Sequence, residues 1–493
     1  MPEVQRLDGG EALQDAGPPA TGMGPLNPES TLEAASAAQL RAQDRRHARL
    51  LDALVPGTEW SRLRIEEADI RLHRLDWRRL VDVGRGVFFH QFTTAEGLGN
   101  NLAGMDSAAG DKPRPNFRRF QHGEFGAPET TTCISCHWKG GEHGAGDRTD
   151  NAYLLGDGQS LSSHDERNPP SLLGQGWIQL VAEEMNADLA AQRLIALDES
   201  ATSDQSVTVD LVAKGISFGR LRVFPDGSED ATLVTGVDAD LVIKPFGWKG
   251  VWPNIRRFVE GSLQLHMGMQ SDNLVRQGMP ERVGRGPHPK DPDNDGVERE
   301  VTDGQISAVE AYIATLETGA VLVPPAPETQ FAWQRGDELF GAMGCRECHV
   351  PYVELDSSIY RIRSDVTGET LMELDLATMG AEPRPSRDPL SGKLRVAMFS
   401  DLRRHGMGEG LQGPNVERGV ARTHYMTPRL WGLARSSPYL YDGRAATFDE
   451  AIAQHGEEGA EAADAFNRLG FHDKAAVRVF LLSLTRKPAA LVR

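Results

Sequence analysis

The stretch WQRGDELFGAMGCRECH, residues 333–349, decides how this chain is read. Leu339 and Phe340 fall together on the apolar side of a helix, and Gly344 ends that helix directly before a cysteine. The next five residues, Cys345-Arg346-Glu347-Cys348-His349, form a CxxCH motif, and a second one stands at Cys133-Ile134-Ser135-Cys136-His137. The chain has only four cysteines, and these two motifs use all of them. CxxCH is the attachment signature of haem c: the two thiols add to the haem vinyl groups, and the spacing sets the adjoining His under the iron as its proximal ligand. Two other readings compete. A four-cysteine zinc site would unite the two pairs but has no need of either His. A redox dithiol belongs in a βαβ setting, which is not visible here.

The surroundings of the two motifs repeat. Ahead of the first, WRRLVDVGRGVFFHQF predicts a comparable helix with Leu80, Val83, Val87 and Phe88 on its apolar face, separated from its motif by a longer Gly-rich loop. Each half closes on an amphipathic helix, at Gln305–Leu316 and at Lys474–Leu484. The fold class expected is therefore mainly α, a tandem pair of cytochrome c-like domains. The N-terminal domain would cover 37–325 and the C-terminal domain 326–493, joined through the Pro-rich segment Val321–Glu328. Residues 1–36, rich in Gly, Ala, Pro and Glu, read as a disordered arm, with a helix after it at Leu40–Leu54. Between Ser206 and Lys244 the period changes to two (VTVDLV, GRLRVF, ATLV, DLVIK) around a Pro225-Asp226-Gly227 turn. That predicts a small antiparallel β insertion in the first domain, about 206–245.

Bulk composition narrows the partners. At 493 residues, 39% hydrophobic and 25% charged, the chain has the make-up of an ordinary globular protein of two domains. A formal charge of −18 argues against nucleic acid and suits a basic redox partner drawn in by long-range attraction. No stretch approaches the roughly eighteen apolar residues of a membrane span. No export signal is present in the sequence, yet haem attachment at CxxCH implies an exported, periplasmic protein.

With the segment SPYLYDGRAATFDEAIAQHGEE placed after the second motif, the chain resembles the bacterial dihaem cytochrome c peroxidase and MauG superfamily. Within it, RNPPSLLGQGW, PFGWKG, GCRECHVP and TPRLWGL are similar to the di-haem oxidoreductase (peroxidase-like) family, and to the BthA-like dihaem peroxidases. The resemblance runs from about residue 80 to the C-terminus. It implies two unequal haems: an N-terminal one open to peroxide, and a six-coordinate C-terminal one that stores or relays an electron. In such enzymes the sixth ligand stands fourteen residues beyond the aromatic or His that precedes Asp-Gly. Counted from Tyr441 that position is His455, which implies a bis-His haem between His349 and His455. Such ligation would lower the potential relative to a His/Met pair. The competing reading of His455 is an exposed helix-end residue. The resemblance also implies a Trp between the haems, matched by Trp248 in FGWKG, with Trp252 as the fallback and Trp138 as haem-pocket wall.

Cleavage of a peroxide O–O bond needs a group that takes a proton from one oxygen and returns it to the other. The family carries a Glu before a Met for this, whereas here His266 precedes Met267 and Glu260 lies further back. Both remain candidates, Glu260 slightly ahead, against the plain reading of an exposed helix carboxylate. His164 occupies a loop where related enzymes carry a gating His, a role not favoured here. His143 in GGEHGAG reads as solvent-facing. Two calcium positions are expected. The loop Asp291, Asp293, Asp295 resembles half an EF-hand but has Thr302 where the closing Glu would stand, with Glu300 as a substitute. The resemblance suggests the other at Asn168, Ser436 and Pro438. The function expected is a dihaem peroxidase acting on hydrogen peroxide, with a small cytochrome c, a cupredoxin or a protein or peptide side chain as electron donor. A pure electron-transfer cytochrome and a dihaem oxygenase are the alternatives.

Overall fold

The computed structural model describes residues 60–99, 129–157, 160–277, 290–291 and 296–486. The N-terminal arm and the helix expected at Leu40–Leu54 lie outside them.

Two helix pairs form the scaffold, and each depends on a glycine where the backbones cross. The helix Trp77–Phe89 starts at an Asp76 cap that accepts from the Arg79 amide, and it buries Leu80, Val83, Val87 and Phe88 as its periodicity predicts. It lies across Asp303–Ala314, a helix buried along its whole length. A Cβ on Gly84 would come within 1.9 Å of the Ala308 carbonyl oxygen, so only glycine allows this approach. In the second half Pro327–Ala342 crosses Phe471–Ser483 in the same manner, with Gly336 set 2.1 Å (as a Cβ) from the Ala476 carbonyl oxygen. Gly344 then adopts φ 85° and turns the chain into Cys345, the helix stop that the sequence marks.

The described residues are 40% helical and 17% strand, which makes the fold mixed rather than mainly α. The β insertion is present: Val207–Ala213 pairs antiparallel with Ile216–Val223, which pairs with Glu229–Asp230. Its alternation of buried and exposed residues is the period-two signal of the sequence. The runs ATLV and DLVIK, read as further strands, are irregular beyond Asp230. Additional antiparallel pairs lie in the second half, at Ile359–Arg363 with Thr370–Asp375 and at Val353–Leu355 with Leu394–Val396. Arg404–Gly406 pairs with His424–Met426. A 29-residue helix, Gln175–Ser203, has no counterpart in the sequence reading. Its first turns are buried on every side, so no single apolar stripe marks it.

The main core takes residues from both sides of position 325, including Trp177, Phe218, Tyr360 and Ile362. A buried polar network supports it. Arg256 pairs with Asp365 and Glu310, and Tyr360 donates to Glu310 and Gln179. Burial holds the Glu310 carboxyl up at about 7 despite the Arg256 charge. A second core gathers Phe340, Phe466 and Phe480 under the second motif.

Candidate functional site

Each CxxC pair forms a short turn, Cys133–Ser135 and Cys345–Glu347, that carries its His inward. Burial raises the thiols of Cys133 to about 12 and of Cys136 and Cys345 to about 11. Such thiols stay protonated at neutral pH, unlike the lowered thiol of a redox dithiol. Cys133 packs on the main core and Cys345 on the second. Among the described residues the four cysteines therefore do not meet in one metal cluster, and the zinc reading loses its geometry.

The two motif histidines are oriented alike. His137 Nδ1 donates to the Pro170 carbonyl at 3.0 Å, and His349 Nδ1 donates to the Phe399 carbonyl at 3.0 Å. In each case the bond fixes the tautomer and leaves Nε2 as the free donor atom, the arrangement found behind metal-bound imidazoles. Burial lowers both to about 4, so both are neutral at physiological pH.

His455 shares a largely apolar cavity with His349, Cys345, Cys348 and Trp248. Its Nδ1 donates to the Ala451 carbonyl at 2.9 Å, again freeing Nε2, and burial lowers its pKa. Arg429 lines the same cavity. Burial lowers it to about 10, and no carboxylate among the described residues pairs with it. An apolar slot with imidazoles on its wall, two thiols at its edge and a guanidinium without a carboxylate fits a haem and one of its propionates.

Trp248 connects this cavity to the first motif. Its Nε1 donates to the Asn168 carbonyl at 2.8 Å, two residues before the Pro170 carbonyl that holds His137. Trp252 packs over Gly261 with the Arg418 guanidinium 4.0 Å from its ring. Trp138 is half-exposed and donates to Asp150.

The two acid/base candidates differ in what they touch. Glu260 is buried, and both its oxygens are engaged, by Arg257 at 2.7 Å, Asn273 at 3.1 Å and Ser271 at 3.0 Å. It therefore is not the exposed carboxylate of the plainer reading. His266 sits in a π-helical turn, Leu263–Met267, of the kind that marks functional sites. Its Nδ1 meets Glu129 Oε2 at 2.7 Å, while the Glu129 and Thr130 amides donate to the His266 carbonyl. Thr130, next to Glu129, is hydrogen-bonded through its hydroxyl to Ser135 within the first motif, so this pair borders that motif.

His143 is buried rather than solvent-facing. The Gly-rich loop folds back on itself, with the Lys139 amide bonded to the Ala145 carbonyl, and turns the ring under the first helix. There it meets the Tyr312 hydroxyl at 2.5 Å and the ring of Phe88, and burial lowers it to about 3. His164 is also buried, bonded through Nδ1 to the Ser160 carbonyl. Of the calcium candidates, Asn168, Ser436 and Pro438 share one cavity wall. Asp291 accepts from the Gly296 amide, whereas Asp293 and Asp295 lie outside the described residues.

Three residues near the sites carried no signal in the sequence reading: Glu129, Arg429 and His405. His405 is buried between Asp401 and Glu458, beside Cys348. Burial opposes its charge, but Asp401 and Cys348 raise it to about 10.

The sequence model of the family described as "Di-haem oxidoreductase, putative peroxidase" matches residues 236–484, just over half of the chain. The chain belongs to this family. It is a dihaem oxidoreductase. The match includes Trp248, His266, the second motif and His455, and leaves the first motif outside. Solved structures similar to this family member include the hydrazine synthase of Kuenenia stuttgartiensis, at 15% identity over 59% of this chain and 87% of that one, with a TM-score of 0.27. A MauG-like protein associated with microbial copper homeostasis is similar at 16% identity over 54% of this chain and 78% of that one, also with a TM-score of 0.27. No curated protein matches the chain. Among the described residues no helix is long and apolar enough to cross a membrane.

Proposed function

We propose that this dihaem oxidoreductase is a periplasmic c-type peroxidase with two unequal haems, one attached at Cys133, Cys136 and His137, the other at Cys345, Cys348 and His349. The observation that carries this reading is the shared cavity of His349 and His455, each with Nδ1 tied to a carbonyl and Nε2 free. It supports a bis-His haem at the second motif and leaves peroxide chemistry to the first. When bound, the haems supply the redox-active iron at which peroxide is cleaved and its oxidising equivalents are held.

Of Glu260 and His266, the second suits the proton transfer, because both oxygens of Glu260 are already engaged. His266 takes a proton from the attacking peroxide oxygen and returns it to the leaving one, while Glu129 holds its Nδ1 and so orients the ring. Trp248 relays electrons between the second cavity and the Asn168–Pro170 segment behind His137. The crossed helix pairs support two cytochrome c-like units, 37–325 and 326–493, and a calcium at Asn168, Ser436 and Pro438 would brace their junction. The net charge of −18 favours a basic donor, such as a small cytochrome c, a cupredoxin or a basic protein segment.

Low-temperature electron paramagnetic resonance of the ferric, haem-loaded protein tests the assignment. One high-spin and one low-spin haem, with rapid consumption of hydrogen peroxide, is the expected result. Two low-spin haems and no reaction with peroxide would reject it.

A further inference from the structure

Both segments that would carry the axial ligands of the second haem are tied to a single buried imidazole. On the proximal side, His349 donates to the Phe399 carbonyl, and two residues on Asp401 is fully buried. Asp401 Oδ2 meets His405 Nε2 at 2.8 Å. At the other nitrogen of the ring, His405 Nδ1 meets Glu458 Oε2 at 2.7 Å. Glu458 lies three residues beyond His455 in the turn after the Phe448–Ala453 helix. The same turn is pinned twice more, since the Gly406 amide donates to Glu458 Oε1 at 2.7 Å and the Gly408 amide to Glu457 at 3.2 Å.

We propose that Asp401–His405–Glu458 is a clasp across the second haem, and that His405 is the positioning residue that holds the His455 turn in ligating position. A carboxylate faces each ring nitrogen, so both nitrogens donate, and one side chain spans the two ligand segments. The helix before His455 is held by Phe448 and Ile452 against the second core and by the Asp449–Arg478 pair, but it ends at Ala453, and the turn beyond it needs rigidity of its own to fix an imidazole. The clasp supplies that rigidity through charge-assisted bonds to a buried anchor. Neutral replacements keep the cavity but remove the tie. Loosening it frees His455 to leave and opens the second haem to outside ligands. The inference rests on His455 as the sixth ligand.

The test compares three variants of the haem-loaded protein by electron paramagnetic resonance and by the rate at which cyanide displaces the bis-His low-spin signal. His405→Phe is expected to convert part of that signal to high spin and to speed displacement at least about tenfold. Glu458→Gln keeps the Gly406 bond and leaves the core intact; it is expected to give a smaller shift in the same direction, and it carries the test if His405→Phe takes up no haem. His455→Ala separates the two ideas. If it retains the low-spin signal, the ligation itself is wrong. If it abolishes the signal while His405→Phe and Glu458→Gln behave as wild type, the clasp alone is overturned.

Discussion

The indole of Trp248 and the backbone carbonyl of Asn168 are joined by a 2.8 Å hydrogen bond, and the peptide from Asn168 leads directly to the Pro170 carbonyl that holds His137. One side chain thus touches the cavity of the second motif and the segment behind the first. Trp248→Phe keeps an aromatic ring but removes the Nε1–H. The expected outcome is unchanged ferric haem spectra with peroxide-driven oxidation of a one-electron donor slowed at least roughly tenfold. Wild-type turnover in this variant would remove Trp248 from the path.

His266 and Glu260 make opposite predictions. Replacing His266 by Gln should slow the reaction with peroxide by about 10²–10⁴, the usual value of a positioned acid/base, with little change in melting temperature. Glu260→Gln should do the reverse. It weakens a part-buried pair with Arg257, which keeps Asp365 as a partner, costs stability on the order of 1 kcal/mol, and leaves peroxide reactivity near wild type. Stopped-flow mixing with peroxide and thermal melts of the haem-loaded variants read out both.

The helix crossings can be probed by a single methyl group. Gly84→Ala and Gly336→Ala each drive a Cβ into a facing backbone carbonyl that cannot swing aside. Each should cost about 1–3 kcal/mol or more, seen as a lower denaturant midpoint with an unchanged slope. Gly215→Ala, where nothing lies within 4 Å, tests the other cost of such a change, because its φ of 81° alone disfavours a side chain. It should destabilise by about 1 kcal/mol.

His143 gives the protein an acid-labile point. In the unfolded chain it protonates near 6.5, whereas in the folded state burial holds it down at about 3. Protons therefore bind the unfolded chain first as pH falls. The stability His143 contributes is complete above 6.5 and is lost progressively towards 3. Between pH 7 and pH 4.5 this group alone should account for roughly 2–3 kcal/mol of destabilisation. Urea melts at both pH values should show a correspondingly smaller acid loss for His143→Gln than for wild type.

The sequence alone showed what was local. Two CxxCH motifs, the helix ending at Gly344, the apolar faces around Leu80 and Phe340, and the Pro225-Asp226-Gly227 hairpin could be read because each depends on residues a few positions apart. The resemblance added Trp248 and His455 as candidates through their spacing from neighbouring motifs. The tertiary structure decided everything that depends on long-range approach. His143 turns inward because its loop folds back beneath the first helix, and Glu260 is buried because Arg257, Ser271 and Asn273 converge on it. Glu129 meets His266 across 137 positions, and His405 reaches Glu458 across 53. No periodicity records such pairs, because their partners are chosen by the packing of whole elements rather than by the order of neighbouring residues. The two motifs are therefore equal in sequence, and what makes their surroundings unequal is which distant side chains the fold delivers to each.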